Sequence, residues 1–393
     1  MTLPLTEDDL YRTSTQYRLW SFAPESLAAR RRETHHVAIE RARQYGASLT
    51  NGDDHGVETG AAIEAGYLTA EEELRLVQRY CEQTRTTSDH FKWPVNVKAR
   101  PPATAVQYLR RFYLSNSCLT YPPKEIYKTA LFLACKTEAT HMTLSDYARR
   151  ISSDPDVILA PEYKIMQALR FTLDVRQPFK GLKGGLLELL NMANGMVGEV
   201  EGVETKGATA LQQDMFALAV PPKAARTPWK APAGEVGVAS LTDRINAAYS
   251  AARILLDKPA LLTDVYFFYT PSQLMLAALH IADEPLTTFY LATKLPVSSP
   301  IRPKILATIH ACADILATFS EAEIMSKDER AALEARLELC RDPSTRNLVK
   351  AHAAVKRGSD SDQEEKAAKK KTARERSARE GEDLFGPNLK GGG

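Results

Sequence analysis

Apolar residues recur at three- and four-residue intervals along most of this chain, the spacing of helices that each turn one face to a core. The first such pattern covers residues 24–44, where Leu27, Ala28, Val37, Ala38 and Ala42 sit among many charges. Residues 1–10 ahead of it read as a solvated leader, and 46–60 as a Gly-, Asn- and Asp-rich loop. Thr69 stands three residues before Glu72, a capping box that predicts a helix running through Leu74, Val77 and Tyr80 toward His90. Pro101 and Pro102 mark the next start, followed by Ala105, Tyr108, Leu109 and Phe112 at helical spacing. A helix over 123–138 contains the run Ala130-Leu-Phe-Leu-Ala-Cys135, apolar on every side, so other helices must surround it. A short helix after Thr143 and another over 161–173 bring the number between residues 69 and 174 to five.

The central helix of that set has a double. The pattern Tyr-x-Pro-x2-Ile/Leu-x3-Ala-Leu-x2-Ala starts at Tyr121 and again, without a gap, at Tyr269. Self-similarity of this kind marks a repeated structural unit. Pro123 and Pro271 fall in the first turn, where a missing N–H costs nothing. Beyond a linker at 178–181, helical patterns cover 182–196, 241–256, 271–282, 286–293 and 303–319. The second set also numbers five, with the matched helix third. A Gly-, Pro- and Ala-rich stretch at about 197–239, containing Trp229, is expected to be an inserted, largely mobile loop. Ser326-Lys-Asp-Glu329 opens a last helix to about Cys340, and no strand-like alternation of useful length occurs. The expected organisation is all-α: a leader, helix and loop (1–60), one five-helix module (61–176), a second (177–320), a C-terminal helix (321–345) and a charged tail (346–393).

Composition narrows the function classes. The chain has 393 residues, is 44% hydrophobic and carries a formal charge of +2, so no strong field draws it to nucleic acid or membrane. Its five cysteines (Cys81, Cys118, Cys135, Cys312 and Cys340) show no metal-ligand spacing and read as reduced thiols of an intracellular protein. No apolar run reaches membrane-span length, and the N-terminus lacks a secretory pattern. The tail segment 366–379 holds seven basic residues and one acid and buries too little to fold alone; it reads as a nuclear localisation signal, a nucleic-acid contact or a solubilising tract.

A search for chemistry turns up no dinucleotide or phosphate-loop glycine motif. His35 and His36 are adjacent, which splays their rings on a helix, and Asp53-Asp54-His55 is a polar loop. No catalytic residue, metal or cofactor is expected. Two charges break the core pattern instead. Lys136 ends the most apolar helix, and Glu162 shares an expected face with Met166, Leu169 and Leu173. Each suits the dipole of its helix end. Each also suits a docking surface, where truncating a desolvated charge costs about 2–5 kcal/mol. The second copy has Glu284 in place of Lys136.

Two tandem five-helix modules, with Arg110-Arg-Phe-Tyr-Leu-Ser-Asn-Ser117 and Phe132-Leu-Ala-Cys-Lys-Thr-Glu138 in the first, resemble the cyclin family over about residues 14–195 and 240–345. That resemblance implies a non-catalytic subunit that binds and activates a cyclin-dependent kinase. By motif position it implies Lys136 and Glu162 as kinase contacts, with Thr137, Met166, Phe171 and Leu173 as neighbours. Tyr17-Arg-Leu-Trp-Ser-Phe22 and Thr263-Asp-Val-Tyr-Phe-Phe-Tyr-Thr-Pro-Ser-Gln273 are similar to the branch serving the CDK-activating kinase. The partners so implied are the kinase subunit, a MAT-type assembly factor and the TFIIH core, in the nucleus, with RNA polymerase II C-terminal repeats and other kinases as substrates. The alternatives are a cyclin C type or a TFIIB-like DNA-binding pair of modules. Pro161, directly before Glu162, departs from the family pattern and must either begin the last helix or kink it.

Overall fold

A computed structural model describes residues 7–49, 66–91, 93, 100–140, 142–197, 206–222, 225–342 and 345–354, with side chains from residue 9 and not for 45–49. Among the described residues every regular element is a helix, and there is no strand. The chain divides into two compact units, Met1–Pro343 and Ser344–Gly393. In the second, residues 348–354 form a helix; the rest of the expected charged tail lies outside the described residues, as does Asp53-Asp54-His55.

In the first module α4 (Ala70–Asp89), α5 (Arg100–Phe112) and α6 (Pro123–Thr137) pack mutually, with α7 (Leu144–Arg150), α8 (Pro155–Leu159) and α9 (Glu162–Ala168) after them. They follow α1 (Glu7–Thr13), α2 (Thr15–Trp20) and α3 (Pro24–Leu49). Each start has a local cause. Thr69 Oγ1 accepts from Glu72 N at 3.1 Å while Glu72 Oε2 accepts from Thr69 N at 2.8 Å, the predicted capping box. Pro123 occupies the first turn of α6, whose Ile126, Ala130, Leu131 and Ala134 are fully buried. The apolar-all-round run is therefore enclosed by other helices, as its pattern requires.

The second module contains α10 (Phe179–Ala193), α11 (Ala208–Phe216), α12 (Val238–Asp257), α13 (Pro259–Leu262), α14 (Val265–Phe268), α15 (Pro271–Ala282), α16 (Glu284–Lys294) and α17 (Arg302–Thr318). Here α15 is the hub, packed on α10, α12, α16 and α17. Its start carries a full capping box between Thr270 and Gln273 in addition to Pro271. The matched helices are thus central in both modules. After α17 comes α18 (Lys327–Cys340), capped by Ser326 and held on α4 by a bidentate Arg336–Glu72 pair at 2.8 and 3.0 Å.

Four expectations need correction. Helix α1 begins at Glu7, inside the expected leader, and α2 follows it, ending at the buried Trp20, whose Nε1 donates to Thr172 Oγ1 at 3.0 Å. Helix α3 runs to Leu49, into the expected loop, and α10 begins at Phe179, within the expected linker. The 197–239 insertion is not simply a mobile loop, because α11 buries Leu211 and Met215 on α10 and Gln212 Nε2 donates to Ala193 O at 2.7 Å. Leu211 and Met215 stand one helical turn apart within a Gly- and Pro-rich stretch, and Phe216, Leu218 and Val236 add partly buried contacts to the same core. The fourth correction concerns α9. It ends at Ala168 rather than 173, because Arg170 (φ 53°) and Phe171 (φ 56°) both adopt left-handed backbone.

Candidate partner-docking site

Lys136 lies in the last turn of α6, one residue after the fully apolar run, and its side chain is 45% exposed. Glu162 opens α9, with Pro161 as the preceding cap residue in helical conformation (φ −82°, ψ −10°). The proline therefore begins the helix instead of kinking it, and the carboxylate sits where the helix dipole favours a negative charge. The two elements bring Lys136 Nζ to 2.6 Å from Glu162 Oε1. The ammonium also lies 4.5 Å from the centre of the Phe132 ring, a cation–π contact. An ammonium has three donors, so Lys136 keeps capacity for an acceptor on a partner.

The aromatic part of the site comes from the turn that ends α9. Phe171 N donates to Met166 O at 2.9 Å and Arg170 N to Gln167 O at 2.9 Å, closing the helix end. Two successive non-glycine left-handed residues cost energy, roughly 1–2 kcal/mol each. They turn Phe171 outward, where it is 60% exposed. Tyr163, 57% exposed, meets it edge-on with ring centres 6.3 Å apart. A charge pair and two exposed aromatic rings thus share one surface, anchored on a buried helix.

The other expected residues sit nearby in different roles. Thr137 is exposed but its hydroxyl is engaged, 2.9 Å from Tyr108 Oη and within reach of the Leu133 and Ala134 carbonyls. Tyr108 Oη also donates to Leu173 O at 2.6 Å, which fixes the backbone beyond the turn. Met166 and Leu173 are half-buried against the core. Leu173 does not share a helical face with Glu162, since α9 stops before it. Tyr163 was not anticipated. Its signal was available: a large aromatic immediately after Glu162, off the stripe that buries Ile165 and Leu169.

Among the described residues the second module has no such arrangement. Glu284, opposite Lys136 in the repeat, is exposed at the first turn of α16. Its predecessor Asp283 is fully buried against Arg244, with Nε–Oδ2 at 2.7 Å and Nη2–Oδ1 at 2.9 Å. The repeat partner of Asp283 is the buried, uncharged Cys135, so neighbouring positions of the two copies carry different chemistry.

Known proteins share this architecture. The family profile described as "Cyclin, N-terminal domain" matches residues 94–174, and that described as "Cyclin C-terminal domain" matches 177–317. Cyclin CCL1 of Saccharomyces cerevisiae is 32% identical over 294 residues, which cover 74% of this chain and 63% of the yeast protein. Cyclin-H1-1 of Arabidopsis thaliana is 29% identical over 243 residues, 59% of this chain and 69% of that one. The chain thus spans somewhat less than two thirds of the yeast relative. A chain of the CAK complex from Chaetomium thermophilum, bound to ATP-γ-S, superposes with a TM-score of 0.68 at 32% identity, covering 90% of this chain and 96% of that chain. A chain of yeast TFIIK (Kin28/Ccl1/Tfb3) gives 0.53 at 28% identity, covering 78% and 100%. With both modules, the matched helices and these relatives in agreement, the chain belongs to the cyclin family and within it to the cyclin H-type cyclins.

Proposed function

We propose that this protein is the activating, non-catalytic subunit of a cyclin-dependent kinase of the CDK-activating and TFIIH type. The observation that carries the reading is the Lys136–Glu162 pair beside the exposed Tyr163 and Phe171. The relatives support it: their names and structures are those of cyclin H, CAK and TFIIK proteins. The residues divide the work. Lys136 and Glu162 present opposite charges to main-chain and charged groups of the kinase, and Tyr163 and Phe171 supply apolar area. Met166 and Leu173 support that surface from beneath, and Thr137 ties α6 to α5. Activation is a shift of population. Phosphoryl transfer needs the kinase αC glutamate paired with its β3 lysine, and a rigid surface that fits only that arrangement favours it by its differential affinity. Rigidity here comes from α6, whose run from Ala130 to Cys135 is buried. The assembled unit would include a MAT-type third subunit, join the TFIIH core in the nucleus, and phosphorylate RNA polymerase II C-terminal repeats and other kinases.

The test is a charge swap, Lys136→Glu with Glu162→Lys, which keeps an internal pair but reverses the charges offered. Co-expressed with its kinase, the wild-type chain should co-purify and raise phosphorylation of a polymerase repeat peptide. The swapped chain should keep its helical circular dichroism and lose affinity by about 30-fold or more, the equivalent of about 2 kcal/mol. A folded swap that binds and activates like wild type refutes the assignment of this surface.

A further inference from the structure

A cavity of about 340 Å³ lies away from the docking site, where α3, the first module and the second module meet. Its volume falls within the usual range of small-molecule sites. Three bodies wall it: α3 through Arg31, α4 through Leu74 and Val77, and the second module through Leu262, Asp264 and Phe268. The wall is largely apolar, with Val77 and Leu262 buried and Leu74, 38% exposed, at its rim.

One corner is polar, and its charge does not balance. Arg31 grips Asp264 with two bonds, Nη1–Oδ2 at 2.8 Å and Nη2–Oδ1 at 2.7 Å. Arg110 bonds the same carboxylate and donates Nη1 to Leu261 O at 3.1 Å. Two guanidinium groups on one carboxylate leave an excess of one positive charge. Arg110 is 7% exposed, and its Nε finds no acceptor among the described residues. The second acid on the wall, Glu73, keeps its charge but sits in a separate cluster, accepting from Ser117 Oγ at 2.7 Å and Cys118 N at 3.3 Å beside His35 Nδ1 at 3.2 Å. The positive excess is therefore local to the Arg31–Arg110 corner.

We infer that this cavity is a binding site for a small amphipathic organic anion, its apolar body against Val77, Leu262 and Phe268 and its anionic group at the Arg31–Arg110 corner. A charge-assisted bond to guanidinium is stronger than a neutral one, so the anionic group sets the orientation. A ligand there touches α3 and both modules at once. It therefore stabilises their junction by mass action, and the melting temperature rises with ligand concentration.

Naphthalene-2-sulfonate and its neutral counterpart 2-naphthol are suitable probes, titrated calorimetrically into the full chain, with octanoate as an aliphatic competitor. The sulfonate should bind saturably, with an affinity about tenfold above that of the naphthol. Arg31→Gln should bring the two probes level, and Leu74→Trp, at an exposed rim position, should block both while the fold is kept. Ala70→Tyr, at the start of α4, is a second plug should the tryptophan unsettle that helix. Displacement by octanoate assigns the site to chain-like anions, and failure of octanoate to displace assigns it to aromatic ones; both outcomes support an anion site. Three results overturn the inference: no saturable binding up to about 10 mM, equal binding of sulfonate and naphthol, or binding that survives both plugs.

Discussion

Removing one partner of the buried Arg244–Asp283 pair is the sharpest test of how the second module is held together. The two side chains are 2% and 0% exposed. Arg244 spends its donors on both Asp283 oxygens and, through Nη2, on Ala219 O at 2.8 Å, while its guanidinium lies 5.1 Å from the Trp229 ring centre. Asp283 in turn accepts from Leu286 N at 3.0 Å and so caps α16. Arg244→Met keeps much of the volume but strands a buried carboxylate, a loss of about 3–5 kcal/mol. A domain's whole stability is about 5–15 kcal/mol, so this is a large fraction. Arg244→Met with Asp283→Asn removes both charges while the amide oxygen can still cap Leu286, and should recover about half of that loss. The assay is a double-mutant cycle in urea, followed by circular dichroism and tryptophan fluorescence, with limited proteolysis reporting on residues 206–222. Protease sensitivity in that segment should rise first, since Arg244 is what binds Ala219. A single-mutant loss below about 1 kcal/mol, typical of solvated pairs, would refute the reasoning. So would a double mutant no better than the single one.

Two further outcomes are expected. Phe171→Ala should leave stability within about 0.5 kcal/mol, because the ring is 60% exposed, yet weaken kinase binding in a pull-down titration; equal loss in both would mean a structural role. Burial opposes ionisation of Asp264, but Arg110 and Arg31 outweigh it and hold the carboxyl at about 2 against an ordinary 3.8. A depressed folded-state value makes its contribution, roughly 2 kcal/mol, complete above that ordinary range and lost as pH falls toward 2. The stability gap between wild type and Asp264→Asn should accordingly narrow across that window in urea titrations, and a gap independent of pH there would contradict the ion-pair account.

Much of the architecture was legible along the chain because its causes are local. Capping residues act within three positions, so Thr69 and Ser326 announced their helices, and both side chains accept the predicted backbone bond. The repeat was legible because Pro123 and Pro271 each open the central helix of a module, and a helix enclosed by others needs apolar residues on every side. Lys136 and Glu162 stood out because a charge at the edge of an apolar run is costly to keep without a purpose or a partner.

The sequence by itself determined the helical class, the doubling of the module, the central helices and the two charges that now stand together. Tertiary structure alone decided the rest. Period and caps say nothing of distance, so only packing of α9 beside α6 could put Glu162 within 2.6 Å of Lys136. The left-handed turn at Arg170 and Phe171 carries no glycine to announce it. It is set by closure of the α9 end and by Tyr108 holding the Leu173 carbonyl, contacts made with a helix more than sixty residues earlier. Docking of α11 depends on Leu211 and Met215 finding α10, and the two-arginine corner exists only because α3, α5 and the start of α14 converge on Asp264. Local sequence specifies elements through short-range bonds and periodicity; which of their side chains meet is settled by burial over the whole chain, where the long-range terms are collected.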